Sequence, residues 1–209
     1  MNVPFEPDRE QAREFEHFGA IVIGASAGGV ETLTHLLPAL RRDVAPPVLI
    51  VVHVRHGQLS LLPTLFAERC VLDVVEPFDK DTIAPGTAYF APPGYHMLVE
   101  TEEDAAPAIA LSVDPPVRFS RSSLDVLFES AEHAYGERLL GIVLSGANED
   151  GARGARAICD AGGACWVQDP HSAYATAMPL AAIGECARHD VLTLDDMAMR
   201  MSRCICRNE

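Results

Sequence analysis

No stretch of the 209-residue sequence approaches the roughly 20 consecutive apolar residues that a membrane-spanning helix needs. The strongest run, residues 47–53, is short and ends in a titratable imidazole. Residues 1–17 are acidic and lack the apolar centre of a secretory signal. Positive charge is scarce: 16 Lys and Arg stand against 30 Asp and Glu, a net charge of −14. Such a surface repels phosphate backbones, so no nucleic-acid partner is expected. The six cysteines, at 70, 159, 165, 186, 204 and 206, include no C-x-x-C pair. Cys204-Ile-Cys206 and the rest are read as free thiols, suited to a reducing cytoplasm. Internal repeats and low-complexity tracts are absent as well.

Apolar residues, by contrast, make up 48% of the chain, enough for a real core, which excludes wholesale disorder. The length fits one domain. Together these features predict a soluble, acidic, cytoplasmic enzyme or binding domain with no membrane insertion.

Residues 1–18 interleave Glu6, Asp8, Glu10, Glu14 and Glu16 with Arg9 and Arg13 and read as a solvated arm. Residues 19–203 form the domain proper, and 204–209 a C-terminal tail. Residues 19–23 are apolar throughout, as a strand buried on both faces should be. Gly24-Ala-Ser-Ala-Gly-Gly29 follows, then a helical stretch with Val30, Leu33, Leu36, Leu37 and Leu40 on one face. Residues 48–54 read as the next buried strand, and a helix near 59–70 is disturbed by Pro63. This alternation builds a parallel sheet.

The short β-like runs 71–75, 87–90, 96–100 and 109–113 are cut by Pro85-Gly86 and Pro92-Pro93-Gly94, and read as an inserted region of strands and hairpins. Helical periodicity resumes at 123–135. Strands are then expected at 139–144, 164–167 and 191–194, with helices after Gly151 and near 178–188 and 195–203. The fold class is α/β: a three-layer α/β/α domain on a mostly parallel, doubly wound sheet with an inserted β-hairpin region. Trp166 reads as core.

Ligands of open α/β sheets bind beyond the carboxyl ends of the strands. At those ends stand Ser26, His53 and, in Ser145-Gly-Ala-Asn-Glu-Asp150, a carboxylate. A serine hydroxyl becomes a competent nucleophile when an imidazole takes its proton, and a carboxylate holds that imidazole in the right tautomer. Glycines around Ser26 suit a sharp strand-to-helix turn that aims backbone N–H groups at developing negative charge.

Each residue alone has a plainer reading. The glycine-rich turn resembles a phosphate loop, but Ser26 takes the second glycine position, His53 stands where a ribose-binding acid belongs, and no G-K-[ST] follows. Ser26 could be a helix cap, His53 a satisfied core histidine, and Asp150 the N-cap of a helix beginning at Gly151. Their joint occurrence at successive strand ends favours chemistry.

Several ordered motifs carry a family resemblance: Val22-Ile-Gly-Ala-Ser-Ala-Gly-Gly29, the strand ending in His53, Pro85-Gly-Thr-Ala-Tyr-Phe-Ala-Pro92, Ser123-Leu-Asp-Val-Leu-Phe128, Leu144-Ser-Gly-Ala-Asn-Glu-Asp-Gly-Ala152, and Gln168-Asp-Pro170 leading to Ala177-Met-Pro179. Over residues 19–200 the sequence resembles the catalytic domain of the chemotaxis receptor methylesterases (the CheB family, protein-glutamate methylesterase). The resemblance implies a carboxylic ester hydrolase that removes methyl esters from glutamates of chemoreceptor helices and also deamidates certain receptor glutamines. It implies Ser26 as nucleophile, His53 as general base, Asp150 as orienting acid, and backbone amides of Ala147 and Ala27 as oxyanion donors. Neither cofactor nor metal is required. The implied partners are methylated receptor helices and a separate receiver or sensor-kinase protein.

The sequence also departs from the family pattern. Ala27 replaces the usual Thr, and His53 sits in Val-His-Val-Arg rather than a Gln-His-Met-Pro context. Ala147, Asn148 and Glu149 alter a loop that is typically Thr-Gly-Met-Gly-x-Asp. Typical members carry an N-terminal receiver domain; with 18 residues ahead of the fold, a stand-alone esterase is expected, constitutive or controlled by another chain. A second hypothesis is a catalytically weak partner-binding module using the same cleft. His171, in Asp-Pro-His-Ser, reads as a loop residue, and His96 is given no role. Arg55, Arg118, Arg121 and Arg153 read either as a basic rim for an acidic receptor helix or as solvated side chains.

Overall fold

The computed structural model describes residues 18–43, 45–53, 61–118 and 120–206. Seven strands form one parallel sheet in the order β3-β4-β2-β1-β7-β8-β9. They are β1 (Ala20–Ala25), β2 (Val48–Val52), β3 (Asp73–Val75), β4 (Thr87–Phe90), β7 (Leu139–Val143), β8 (Ala164–Gln168) and β9 (Asp190–Leu192). The helices are α1 (Gly29–Leu36), α2 (Leu62–Ala67), α3 (Leu124–Tyr135), α4 (Ala152–Asp160), α5 (Ala177–Glu185) and α6 (Leu194–Met201). A two-stranded antiparallel hairpin, β5 (His96–Glu100) with β6 (Ala108–Ser112), packs beside α3.

The central strands are apolar at every position because both faces are covered. Ile21, Ile23, Ile50 and Ile142 point into one core with Leu33, Leu36 and Met197 of α1 and α6. Val22, Leu49, Val51 and Val143 point into the other with Leu127, Phe128 and Ile158 of α3 and α4. Phe18 and Cys204, at the ends of the described chain, are also buried in the first core.

Three expectations need correction. Residues 71–75 and 87–90 are not part of an insertion: β3 and β4 pair in parallel and extend the main sheet beyond β2, leaving β5–β6 as the inserted hairpin. Pro63 does not disturb a helix; it sits in the first turn of α2, where its missing N–H costs nothing. The cysteines are not all free, since Cys159 at the end of α4 and Cys186 just after α5 form a disulfide. Packing of α4 on α5 brings them together across 27 residues of sequence. The arm over residues 1–17 lies outside the described residues.

The chain lays β2 on one side of β1 and later returns to place β7 on the other. This reversal of strand order makes β1 the switch point, where a crevice opens beyond the carboxyl ends.

Candidate active site

Ser26 follows the last residue of β1, His53 the last residue of β2, and Asp150 lies in the loop between β7 and α4. Because β2, β1 and β7 are adjacent, residues far apart in sequence share one lip of the sheet. His53 Nε2 lies 2.9 Å from Asp150 Oδ2. A carboxylate only accepts, so Nε2 carries a ring proton, and in the neutral ring Nδ1 holds the lone pair.

Asp150 is fully buried yet richly bonded. Leu124 N–H donates to Oδ2 at 2.8 Å, while the Ser123 hydroxyl and Asp125 N–H donate to Oδ1 at 2.8 and 3.1 Å. Burial pushes the carboxyl up, but the bonds from His53, Leu124, Ser123 and Asp125 outweigh it and hold it below the ordinary carboxylate range. Two of those donors are the first amides of α3, so Asp150 caps α3 rather than the helix that follows it. Gly24 makes this approach feasible: a Cβ there would meet the Leu124 side chain at 2.0 Å.

The Ser26 turn is held from below. Ser26 N–H donates to Ser145 O at 2.9 Å, and the Ser145 hydroxyl donates to Ala27 O at 2.7 Å while accepting from Ala175 N–H at 2.9 Å. Gly28, at φ 82°, turns the chain into α1 in the left-handed region. Among the described residues, the backbone N–H groups of Ala27 and Ala147 donate to no other protein group. Ala147 is exposed in the β7–α4 loop.

The other singled-out residues fall apart from this cluster or support it. Glu149 turns to solvent and pairs with Arg118 at 2.9 Å. Arg118 and Arg153 also approach the buried Asp125 carboxylate, at 3.5 and 3.3 Å, so these two are ion-paired and not a free basic rim. Arg121 donates to Asp114 O, and Arg55 lies outside the described residues. His171 is exposed and bonded to Asp169.

Sequence reasoning missed three supports. His96 is buried, accepts the Ser123 N–H at 3.2 Å and faces Pro115 O at 3.2 Å. Ser123 and Asp125 are the other two. Their signal was a Ser-x-Asp opening an apolar helical run, but their partners lie about 25 residues away.

A cavity of about 700 Å³, lined by residues that include Gly28, Gln168 and Tyr174, adjoins the Ser26 turn. A second, of about 380 Å³ between Phe18 and Asp190, lies at the opposite, amino end of the strands, away from this cluster. Beside it is the one group of potential metal-ligating side chains among the described residues: Cys159, Cys165 and Cys186, with sulfurs within 4.8 Å of one another. Two of those sulfurs are joined in the disulfide.

The sequence pattern of the CheB methylesterase family matches residues 21–201. The chain belongs to this family. It is 37% identical over 182 residues to a putative protein-glutamate methylesterase/protein-glutamine glutaminase of Leptospira interrogans, covering 87% of this chain and 92% of that one. A protein-glutamate methylesterase/protein-glutamine glutaminase of Chromohalobacter salexigens is 36% identical over 177 residues. That match covers 85% of this chain but 49% of the relative, so the chain spans about half the length of such longer members. The CheB methylesterase catalytic domain of Thermotoga maritima superposes with a TM-score of 0.84 at 24% identity, covering 88% of this chain and 97% of that one, which shows the shared fold. No helix among the described residues is long and apolar enough to cross a membrane.

Proposed function

We propose that the chain is a cytoplasmic serine hydrolase that removes methyl esters from glutamate side chains of chemoreceptors and deamidates receptor glutamines in chemotaxis-type signalling. The observation that carries this reading is the 2.9 Å bond between His53 and the buried Asp150 at the end of the strands flanking β1. That bond leaves Nδ1 of His53 as the proton acceptor on the side of the ring away from the acid.

In this mechanism His53 Nδ1 takes the Ser26 hydroxyl proton as Oγ attacks the ester carbonyl. The negative charge that develops on the carbonyl oxygen is met by the N–H groups of Ala27 and Ala147, and the imidazolium by Asp150. Collapse returns the proton to the departing methoxide, releasing methanol and leaving a glutamyl ester on Ser26. His53 then takes a proton from water, hydroxide adds to that ester, and Ser26 recovers its proton as the glutamate carboxylate leaves. With a glutamine substrate the leaving group is ammonia. No step needs a cofactor. The partners in this reading are methylated receptor helices and a separate receiver or sensor-kinase protein.

Ser26→Ala should abolish methanol release from methylated receptor while leaving the circular dichroism spectrum and melting temperature close to those of the parent. Full activity in that variant would overturn the assignment. A second reading, a weakly catalytic partner-binding module, is favoured by one observation: among the described residues Ser26 Oγ makes no hydrogen bond to His53, whose Nδ1 faces Asn148. It predicts receptor binding without methanol release.

A further inference from the structure

Asn148 Nδ2 lies 3.4 Å from His53 Nδ1. The other end of the same amide settles its orientation, because Asn148 Oδ1 accepts the Asp150 backbone N–H at 3.1 Å. An amide whose oxygen is anchored on an N–H must turn its NH₂ toward the ring. Nε2 already carries the ring proton, which it donates to Asp150. The Asn148 amide therefore donates to the Nδ1 lone pair.

A neutral imidazole has one such lone pair. The Ser26 hydroxyl needs it to lose its proton, and among the described residues that hydroxyl is not bonded to the ring. Two donors thus compete for one acceptor, and the amide holds it.

We propose that Asn148 is a latch on the base: it occupies the proton-accepting nitrogen of His53 in the resting protein and must let go before Ser26 can be deprotonated. This rests on the reading of Ser26 and His53 given above. The latch is built to open. Its bond is long for an N–H donor, and Asn148 is half-buried between the exposed Ala147 and Glu149. Glu149 is drawn off by Arg118 and does not compete for the amide. One peptide separates Asn148 from the Ala147 N–H, so a substrate carbonyl arriving at that N–H acts on the same loop segment that carries the latch. Asn148 is a positioning residue that works through His53.

The test is the rate at which a fluorophosphonate labels Ser26, read by mass spectrometry, in the parent chain and two variants. Asn148→Ser keeps an oxygen for the Asp150 N–H, in the manner of a serine turn, and removes the amide donor. It should label about three- to tenfold faster, the worth of one neutral hydrogen bond. Asn148→Asp keeps size and anchor but offers Nδ1 an acceptor in place of a donor, so it favours a protonated Nδ1 and should label at least about tenfold slower. Imidazole ¹⁵N spectra of the parent should show Nδ1 as an unprotonated, hydrogen-bonded acceptor, and that signature should weaken in Asn148→Ser. Labelling of Asn148→Ser at or below the parent rate, or a parent spectrum with a proton on Nδ1, overturns the latch. Ser26 left unlabelled in all three folded proteins would instead remove the nucleophile assignment, and the latch with it.

Discussion

Asp125 and Asp150 cap each other's helices. Asp150, just ahead of α4, accepts the Leu124 and Asp125 N–H groups that open α3. Asp125, in the first turn of α3, accepts the Gly151 and Gly154 N–H groups that open α4, each at 3.0 Å. Both carboxylates are buried. The proposed acid of the site is therefore held by its neighbour's helix, and the two helix starts cannot shift independently.

This exchange makes Asp125 a support for chemistry that it does not touch. Asp125→Asn keeps a carbonyl oxygen for one helix start but weakens bonds that were made to a charge and leaves Arg118 and Arg153 without their buried partner. We expect a loss of about 1–3 kcal/mol in urea unfolding and a fall in turnover that exceeds any change in KM. Unchanged turnover at unchanged stability would show that the α4 start needs no cap from α3.

Asp150→Asn should be harsher, because its NH₂ must face either the Leu124 N–H and the His53 ring N–H, which share Oδ2, or the Asp125 N–H and the Ser123 hydroxyl at Oδ1. A drop in turnover of about 10³–10⁴-fold is expected, the scale of losing the tautomer-setting acid in a serine triad. A fall of less than tenfold would mean that the His53 ring is oriented by something else.

Acid sensitivity follows from the same carboxylate. Asp150 is held below the ordinary carboxylate range in the folded protein, so its contribution to stability is complete above the unfolded value, near 4. It is lost as pH falls through the lower folded value. Denaturant unfolding between pH 6 and 3 should show parent stability falling at the acid end, and the gap between parent and Asp150→Asn should narrow there. A gap that widens with acid would mean that the hydrogen bonds favour the protonated carboxyl.

The candidate trio was readable because Ser26 and His53 directly follow apolar runs and Asp150 lies in the polar loop after a third, where buried strands must reach the surface. Its convergence was not: nothing in the spacing says that β1 lies between β2 and β7. β3 and β4 looked like insertions because they are short and cut by Pro85-Gly86, and their parallel pairing depends on a neighbour's edge. Ser123 and Asp125 carried a visible capping pattern, yet the helix that Asp125 caps starts 27 residues later. The Cys159–Cys186 pairing follows from the packing of α4 on α5, which no cysteine spacing encodes.

Ser145 links the Ser26 turn to the segment around Ala175 through a single buried hydroxyl. Ser145→Ala strands the Ala27 carbonyl and the Ala175 N–H together. We expect about 1–2 kcal/mol of destabilisation and slower fluorophosphonate labelling of Ser26, since the turn that presents it loosens. Ser145→Thr keeps the hydroxyl and serves as the conservative control. Full labelling rate in the alanine variant would show that the Ser26 N–H bond to Ser145 O, a backbone contact, suffices to hold the turn.

The disulfide yields a chemical signature. Unreduced digests should contain the Cys159 and Cys186 peptides linked together. Burial pushes the Cys165 and Cys204 thiols up to about 12, so alkylation of the native protein at pH 8 should leave them intact while the less buried Cys70 and Cys206 react first. Denaturation without reduction should then bring the total of alkylated thiols to four and no more. Closing a loop across a sequence separation of 27 is worth about 3.5 kcal/mol in the chain-entropy account, so Cys159→Ala/Cys186→Ala should unfold at clearly lower denaturant. Alkylation of Cys159 or Cys186 without reductant would show the pair to be open in solution, and the stability loss should then shrink to that of the two lost side chains.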